Sequence, residues 1–134
     1  MSSLIQQRRA LLEQMMQDDY PGFEFGVFTG GYEVMHPICV TDYIEVPSTC
    51  ASIKIMHYCN DSIIRSSFRA HLYDSNKAYT VAITYNNPSA YKSDNITAGQ
   101  SAYIRATLNL DRIDDCYIYD NTNGAYLWKG KNVV

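Results

Sequence analysis

The sequence has no excess of positive charge: 11 Lys and Arg are scattered among 14 Asp and Glu, for a net charge of −3. A phosphate backbone needs a clustered cationic footprint, so nucleic acid is not expected as a partner. No segment approaches the roughly eighteen apolar residues that would span a bilayer, and none has the apolar block of an export signal. Arg8, Arg9, Glu13, Asp18 and Asp19 break up the first twenty residues. Synthesis in a cytosol without membrane insertion is therefore the expectation. The four cysteines, Cys39, Cys50, Cys59 and Cys116, lack the short spacing of a zinc knuckle or a redox pair. Buried reduced thiols are expected of them in preference to two disulfides. There is no Gly-rich phosphate loop, no internal repeat and no low-complexity run.

What the chain does have is tyrosine and alternation. Its 134 residues fit one domain, able to bury about two thirds of the unfolded surface. The 12 Tyr and the many β-branched residues favour sheet, because both pack well on a pleated, half-buried surface. The clearest segment is Ala102 to Leu110, where Ala102, Ile104, Ala106, Leu108 and Leu110 alternate with Tyr103, Arg105, Thr107 and Asn109. That is a strand with one apolar and one wet face, and the rest of the chain reads as partners for it. Further strands are expected at Phe23–Phe28, Met35–Val40, Tyr43–Val46, Ile53–Tyr58, Phe68–Tyr73, Tyr79–Tyr85, Cys116–Tyr119 and Tyr126–Trp128. Gly30 and Gly31, Asp74 to Lys77, and Asp120 to Gly124 supply turns, while Asn86 to Gln100 reads as a long polar loop. About eight or nine short strands without alternating helices predict an all-β, antiparallel, jelly-roll-like sandwich over 21–134.

Residues 1–20 are predicted to form a separate amphipathic helix. Ser3 and Gln6 have the spacing of a capping box, Pro21 and Gly22 stop the helix, and Leu4, Ile5, Leu11, Leu12, Met15 and Met16 share its apolar side. A helix of this length is marginal alone in water, so its stripe must rest on something. It either packs on its own sandwich or joins copies of itself or a larger assembly. The second role would be carried by Leu4, Ile5, Arg8, Leu11, Leu12 and Met15, with two seven-residue spacings and Arg8 interrupting the seam. Under that role, removing 1–20 would leave a folded sandwich.

Little points to catalysis. His36, His57 and His71 are unpaired in sequence, so no metal is expected of them. Asp111, Asp114 and Asp115 lack a calcium-loop glycine and read as a solvated turn. No Ser or Cys sits in a Gly-flanked elbow, so no catalytic residue and no cofactor are assigned. What remains is aromatic surface. Tyr85, Tyr91, Tyr126 and Trp128, beside Asn87 and Asn123, have the composition of a sugar platform, flat rings next to amides that hydrogen-bond hydroxyls. The alternative is that Trp128 fills the end of the core and the tyrosines cover a sheet face.

Three pieces in order, Thr41-Asp42-Tyr43-Ile44-Glu45-Val46, Tyr73-Asp74-Ser75-Asn76 and Ala98-Gly99-Gln100-Ser101-Ala102-Tyr103-Ile104-Arg105, resemble the "T-x-Y-I-x-V … Y-D … G-x-x-Y-I-R" skeleton of jelly-roll modules in phage tail, baseplate and fibre proteins. The leader from Leu4 to Leu12 is similar to the Arg-Arg segment that often precedes them. The resemblance implies a non-enzymatic virion component, homo-oligomeric by virtue of its leader with a trimer favoured, displaying a sandwich that binds host-surface glycan. It also implies that Arg105 orders a neighbouring loop. Four cysteines and a short leader depart from a long fibre, and leave a capsid-decoration or head-fibre protein, or a bacterial surface carbohydrate-binding module, as alternatives.

Overall fold

The computed structural model describes residues 4–25, 38–59, 68–85 and 93–134, with only the backbone of Ile5. Within these, a helix, α1 (Leu4–Asp19), leads into strands β1 (Glu24–Phe25), β2 (Ile38–Val40), β3 (Ile44–Glu45), β4 (Ser52–Met56) and β5 (Arg69–Tyr73). They are followed by β6 (Tyr79–Thr84), β7 (Ser93–Thr97), β8 (Tyr103–Asn109), β9 (Tyr117–Asp120) and β10 (Ala125–Lys129). The expected turn at Gly30 and Gly31, the Ser3 end of the capping box, and His36 lie outside the described residues.

The strands form two antiparallel sheets, β1-β2-β8-β5-β6 with β3 also on β8, and β10-β9-β4-β7. The chain crosses between sheets from β3 to β4, β4 to β5, β6 to β7, β7 to β8 and β8 to β9, which is a jelly-roll-like winding. The long alternating strand β8 lies at the centre of its sheet, against β2 and β3 on one side and β5 on the other. Its even-numbered residues Ile104, Ala106 and Leu108 are fully buried. They face Ile53, Ile55 and Ile118 of the other sheet, all likewise without exposed surface.

Thr41 bridges the interruption between β2 and β3. Its N–H donates to the Ala106 carbonyl and its hydroxyl accepts from the Ala106 N–H, both at 3.0 Å, so the ladder continues across the break. The Thr41 carbonyl in turn accepts from Arg105 Nε at 2.8 Å, which ties Arg105 to this turn.

The region Asn86 to Gln100 is not one loop. Ser93–Thr97 is a strand paired with β4 from Ser52↔Thr97 to Met56↔Ser93. Its inward residues are Asp94 and Ile96, and the inward carboxylate hides the strand from any count of apolar alternation.

The helix does not stand apart from the sandwich. Met16 is 1% exposed, Tyr20 is buried, and Leu12 and Met15 pack against the same core. The Tyr20 hydroxyl donates to Asp114 and accepts from the Lys131 N–H, and Lys131 Nζ reaches Asp19 at 2.7 Å. Arg8, expected to take part in self-association, lies 3.7 Å from Asp111 of its own chain, both side chains about half exposed. At about 100° per residue, the apolar arc from Leu11 through Leu4 to Met16 is roughly 140° wide. The sandwich covers the Leu12–Met16 side, and Leu4 and Leu11 remain 83% and 73% exposed. No helix among the described residues is long and apolar enough to cross a membrane.

Candidate functional site

The four expected platform residues that are described do not come together. Tyr85 is 1% exposed and belongs to the interior: its ring stacks on His57 with centroids 4.1 Å apart, and its hydroxyl donates to the Thr107 carbonyl at 2.8 Å. Trp128 is half-buried, packed against Tyr20 and Phe23 with centroids 5.7 and 5.4 Å away, and so caps the core end. Asn123 serves its turn, donating through Nδ2 to Asp120 and Thr49. Asn87 and Tyr91 lie outside the described residues. Of the three described rings, Tyr126 is placed on an open face, 40% exposed.

The separation of Tyr126 from Trp128 has a specific cause. Residues two apart on a strand normally share a face. Here Tyr126 pairs with Tyr119 while Trp128 pairs with Ile118, so the register shifts by one between them. This β-bulge at Leu127 turns Tyr126 outward with Tyr119 and Trp128 inward with Ile118.

Around Tyr126 the outer face of the second sheet can be read from its register. One row across the strands is Thr97, Ser52 and Asn121; the next is Asn95, Lys54, Tyr119 and Tyr126; the third is Ser93, Met56, Tyr117 and Lys129. Tyr126 stands edge-on to both neighbouring rings, with centroids 5.3 Å from Tyr117 and 5.1 Å from Tyr119. Lys54 Nζ lies 5.9 Å over Tyr117 and Lys129 Nζ 5.5 Å over Tyr126. Asn121 Nδ2 donates to Ser52 Oγ at 3.1 Å and to Asn95 Oδ1 at 3.0 Å, which fixes both amides. A shallow hollow of about 320 Å³ is bounded by Lys54, Tyr117, Tyr119, Asn121 and Tyr126.

Such a surface offers what a sugar needs: rings that cover C–H faces, amides and hydroxyls for its hydroxyl groups, and strands that hold them still. Tyr117, Tyr119, Lys54, Asn95 and Asn121 were not singled out from sequence. Alternation along β9 with Ile118 was the available signal, since it places Tyr117 and Tyr119 on one outward face.

The other sheet is less open. Its outer side carries Tyr43, Tyr73, Tyr103, Tyr79 and Arg105, yet Tyr73 is 6% exposed and Thr107 is fully buried there. Lys77 Nζ sits over Tyr43 and Tyr103 at 5.1 and 5.3 Å, and Arg105 lies over Tyr43 and pairs with Glu24 at 3.3 Å.

Among the described residues the interior holds one polar constellation with a catalytic look. His57 Nε2 is 2.8 Å from Asp94 Oδ2, and its Nδ1 accepts from the Cys59 N–H at 2.9 Å. Because Nδ1 accepts, the proton of the neutral ring sits on Nε2 and is given to Asp94. Burial lowers the His57 pKa, with Asp94 opposing. Both nitrogens are thereby engaged, His57 is fully buried and Cys59 is 2% exposed, so this is a core clamp between β4 and β7 rather than a nucleophile and base meeting a substrate. The four thiols are free and buried. Burial pushes the thiol pKa of Cys39, Cys59 and Cys116 well up and that of Cys50 to about 11.

Asp114 and Asp115 engage Tyr20 and the Arg112–Asn132 pair respectively, and Asp120 Oδ1 accepts from the Thr122 and Asn123 N–H groups. Among the described residues no group of three or more His, Cys, Asp or Glu is placed to hold a metal ion. Compared with family models, curated proteins and solved structures, the chain finds no match.

Proposed function

We propose that the chain is a non-catalytic sandwich that binds saccharide on the outer face of its second sheet. The observation that carries this reading is the cluster of Tyr117, Tyr119 and Tyr126 beside the linked amides of Asn121 and Asn95, all on paired strands or the turn between them. Three rings on paired strands expose apolar area at little entropic cost, which is how a weakly apolar ligand such as a pyranose is held. Asn121 Oδ1 and Asn95 Nδ2 supply one acceptor and two donors for hydroxyls.

From its sequence resemblance we further propose a place in a phage virion as a tail, baseplate or fibre component. Attachment to sister subunits, a trimer by the resemblance, or to other virion proteins would run through Leu4 and Leu11, a seven-residue pair that the sandwich leaves uncovered. A purely structural decoration role would keep that attachment and have no use for the tyrosine face.

A glycan array probed with the full chain and with Tyr126→Ala tests the reading. Binding to at least one glycan that falls about tenfold or more in the variant, with an unchanged melting temperature, is expected. No binding, or binding indifferent to Tyr126, overturns it. Sedimentation of the wild-type chain against Leu4→Gln/Leu11→Gln tests attachment: a particle above the 15.3 kDa monomer that reverts to monomer is expected, and a monomer in both overturns self-association.

A further inference from the structure

The charge on the tyrosine face is opposite to the charge of the molecule. The chain carries 14 acidic and 11 basic residues, yet the three outward rows of β4, β7, β9 and β10 contain Lys54 and Lys129 and no described carboxylate. The two acids on these strands, Asp94 and Asp120, point inward, 8% and 1% exposed. The remaining described acids lie on α1, on β1, on β3 and the turn before it, in the β5–β6 turn and in the segment from Asp111 to Asp115. Neither Lys54 nor Lys129 has a carboxylate partner among the described residues, in contrast to Lys131, which pairs with Asp19.

We infer that the ligand of this face is a saccharide bearing carboxylates, a uronic or sialic acid type of glycan, with Lys54 and Lys129 as its charge-recognising residues. This rests on the saccharide reading above. The geometry fits the division of labour. Each ammonium lies within 6 Å of a tyrosine ring, at 5.9 Å for Lys54 and 5.5 Å for Lys129. A sugar stacked on a ring at van der Waals distance, about 4 Å, holds its ring substituents within reach of an ammonium at that radius. Both lysines end in flexible four-carbon stems, so each can turn from its ring to a carboxylate and form a charge-assisted hydrogen bond. On a molecule of net negative charge an acidic polymer is repelled elsewhere, so the complementary face also sets the orientation of approach.

The test titrates the full chain with oligomers of galacturonic acid, of hyaluronan and of sialic acid, each beside its neutral methyl ester, and with polyglutamate. At least one acidic oligomer is expected to bind about tenfold more tightly than its ester. Lys54→Gln and Lys129→Gln are expected to remove that difference, bringing acid binding down to that of the ester with an unchanged melting temperature, and added salt to weaken the acidic ligand alone. Equal binding of acid and ester, with the lysine variants silent, overturns the charge inference and leaves the saccharide reading standing. Polyglutamate binding as tightly as the glycan overturns it too, in favour of a generic anion patch. Binding of no saccharide, acidic or neutral, overturns both.

Discussion

Tyr85 is the residue whose chemistry most misleads. It ends a strand beside an Asn-rich segment, which suggests an exposed ring, but its phenol is spent on the Thr107 carbonyl and its face on His57. Tyr85→Phe should therefore cost about 1–2 kcal/mol in urea unfolding, because the buried Thr107 carbonyl keeps only a weak hydrogen bond from Cys59 Sγ, with saccharide binding unaltered. A companion prediction concerns pH. His57 and His71 both have pKa values below the ordinary imidazole, His57 chiefly through burial and His71 to about 4 through burial and then Arg69 and Arg105. Below about pH 6.5 the unfolded chain takes up protons that the folded chain refuses, so stability falls with pH. For His71 the fall continues to about pH 4. Protonating His57 would also set an Nδ1–H against the Cys59 N–H. The urea midpoint at pH 5 should lie below that at pH 7.5, and His57→Gln or His71→Gln should flatten the difference.

At the scale of elements, what could be read from sequence was whatever kept a two-residue period with apolar residues inside. β8, β4 and β5 did, and lie where alternation put them. β7 did not, since Asp94 occupies an inward position, paired with His57 from the neighbouring strand, and no local pattern announces a partner 37 residues away. The platform was half legible for the same reason. Tyr117 and Tyr119 follow from alternation, but the bulge that sends Tyr126 out and Trp128 in is a register event between two strands. The amphipathic helix was recognised, though not its division, because the width of a stripe does not say which part the sandwich will cover. One element carries a further consequence. β6 is the edge of the first sheet, pairing with β5 alone among the described strands, uncharged from Tyr79 to Tyr85, with Tyr79 58% and Val81 45% exposed. Such an edge is a template for pairing with other chains. Val81→Lys should lower light scattering of concentrated protein without lowering its melting temperature by more than a degree or two.

For the whole molecule, leader and sandwich share one core. Met16 and Tyr20 are core residues, and Tyr20 stacks with Phe23 and meets Trp128 edge-on. Burying each is worth about 1.5–3 kcal/mol, a large share of the roughly 5–15 kcal/mol that holds a domain of this size. Deletion of residues 1–20 should therefore give a chain that is unfolded or melts far lower by circular dichroism, and not the intact sandwich expected if the leader were separate. Substituting Leu4 and Leu11 keeps that core and is the cleaner way to ask what the outer stripe does.

The extra residue at Leu127 makes the last strand intolerant of changes in length. Removing one amino acid there would restore plain alternation and force a choice: Trp128 swings into water, leaving Tyr20 and Phe23 uncapped, or Tyr126 turns in and the platform loses its exposed ring. Indels at exposed loop tips are usually absorbed without trace. In this strand a single one would be paid either in stability or in binding, and which of the two is lost would show which side of the sheet holds the frame.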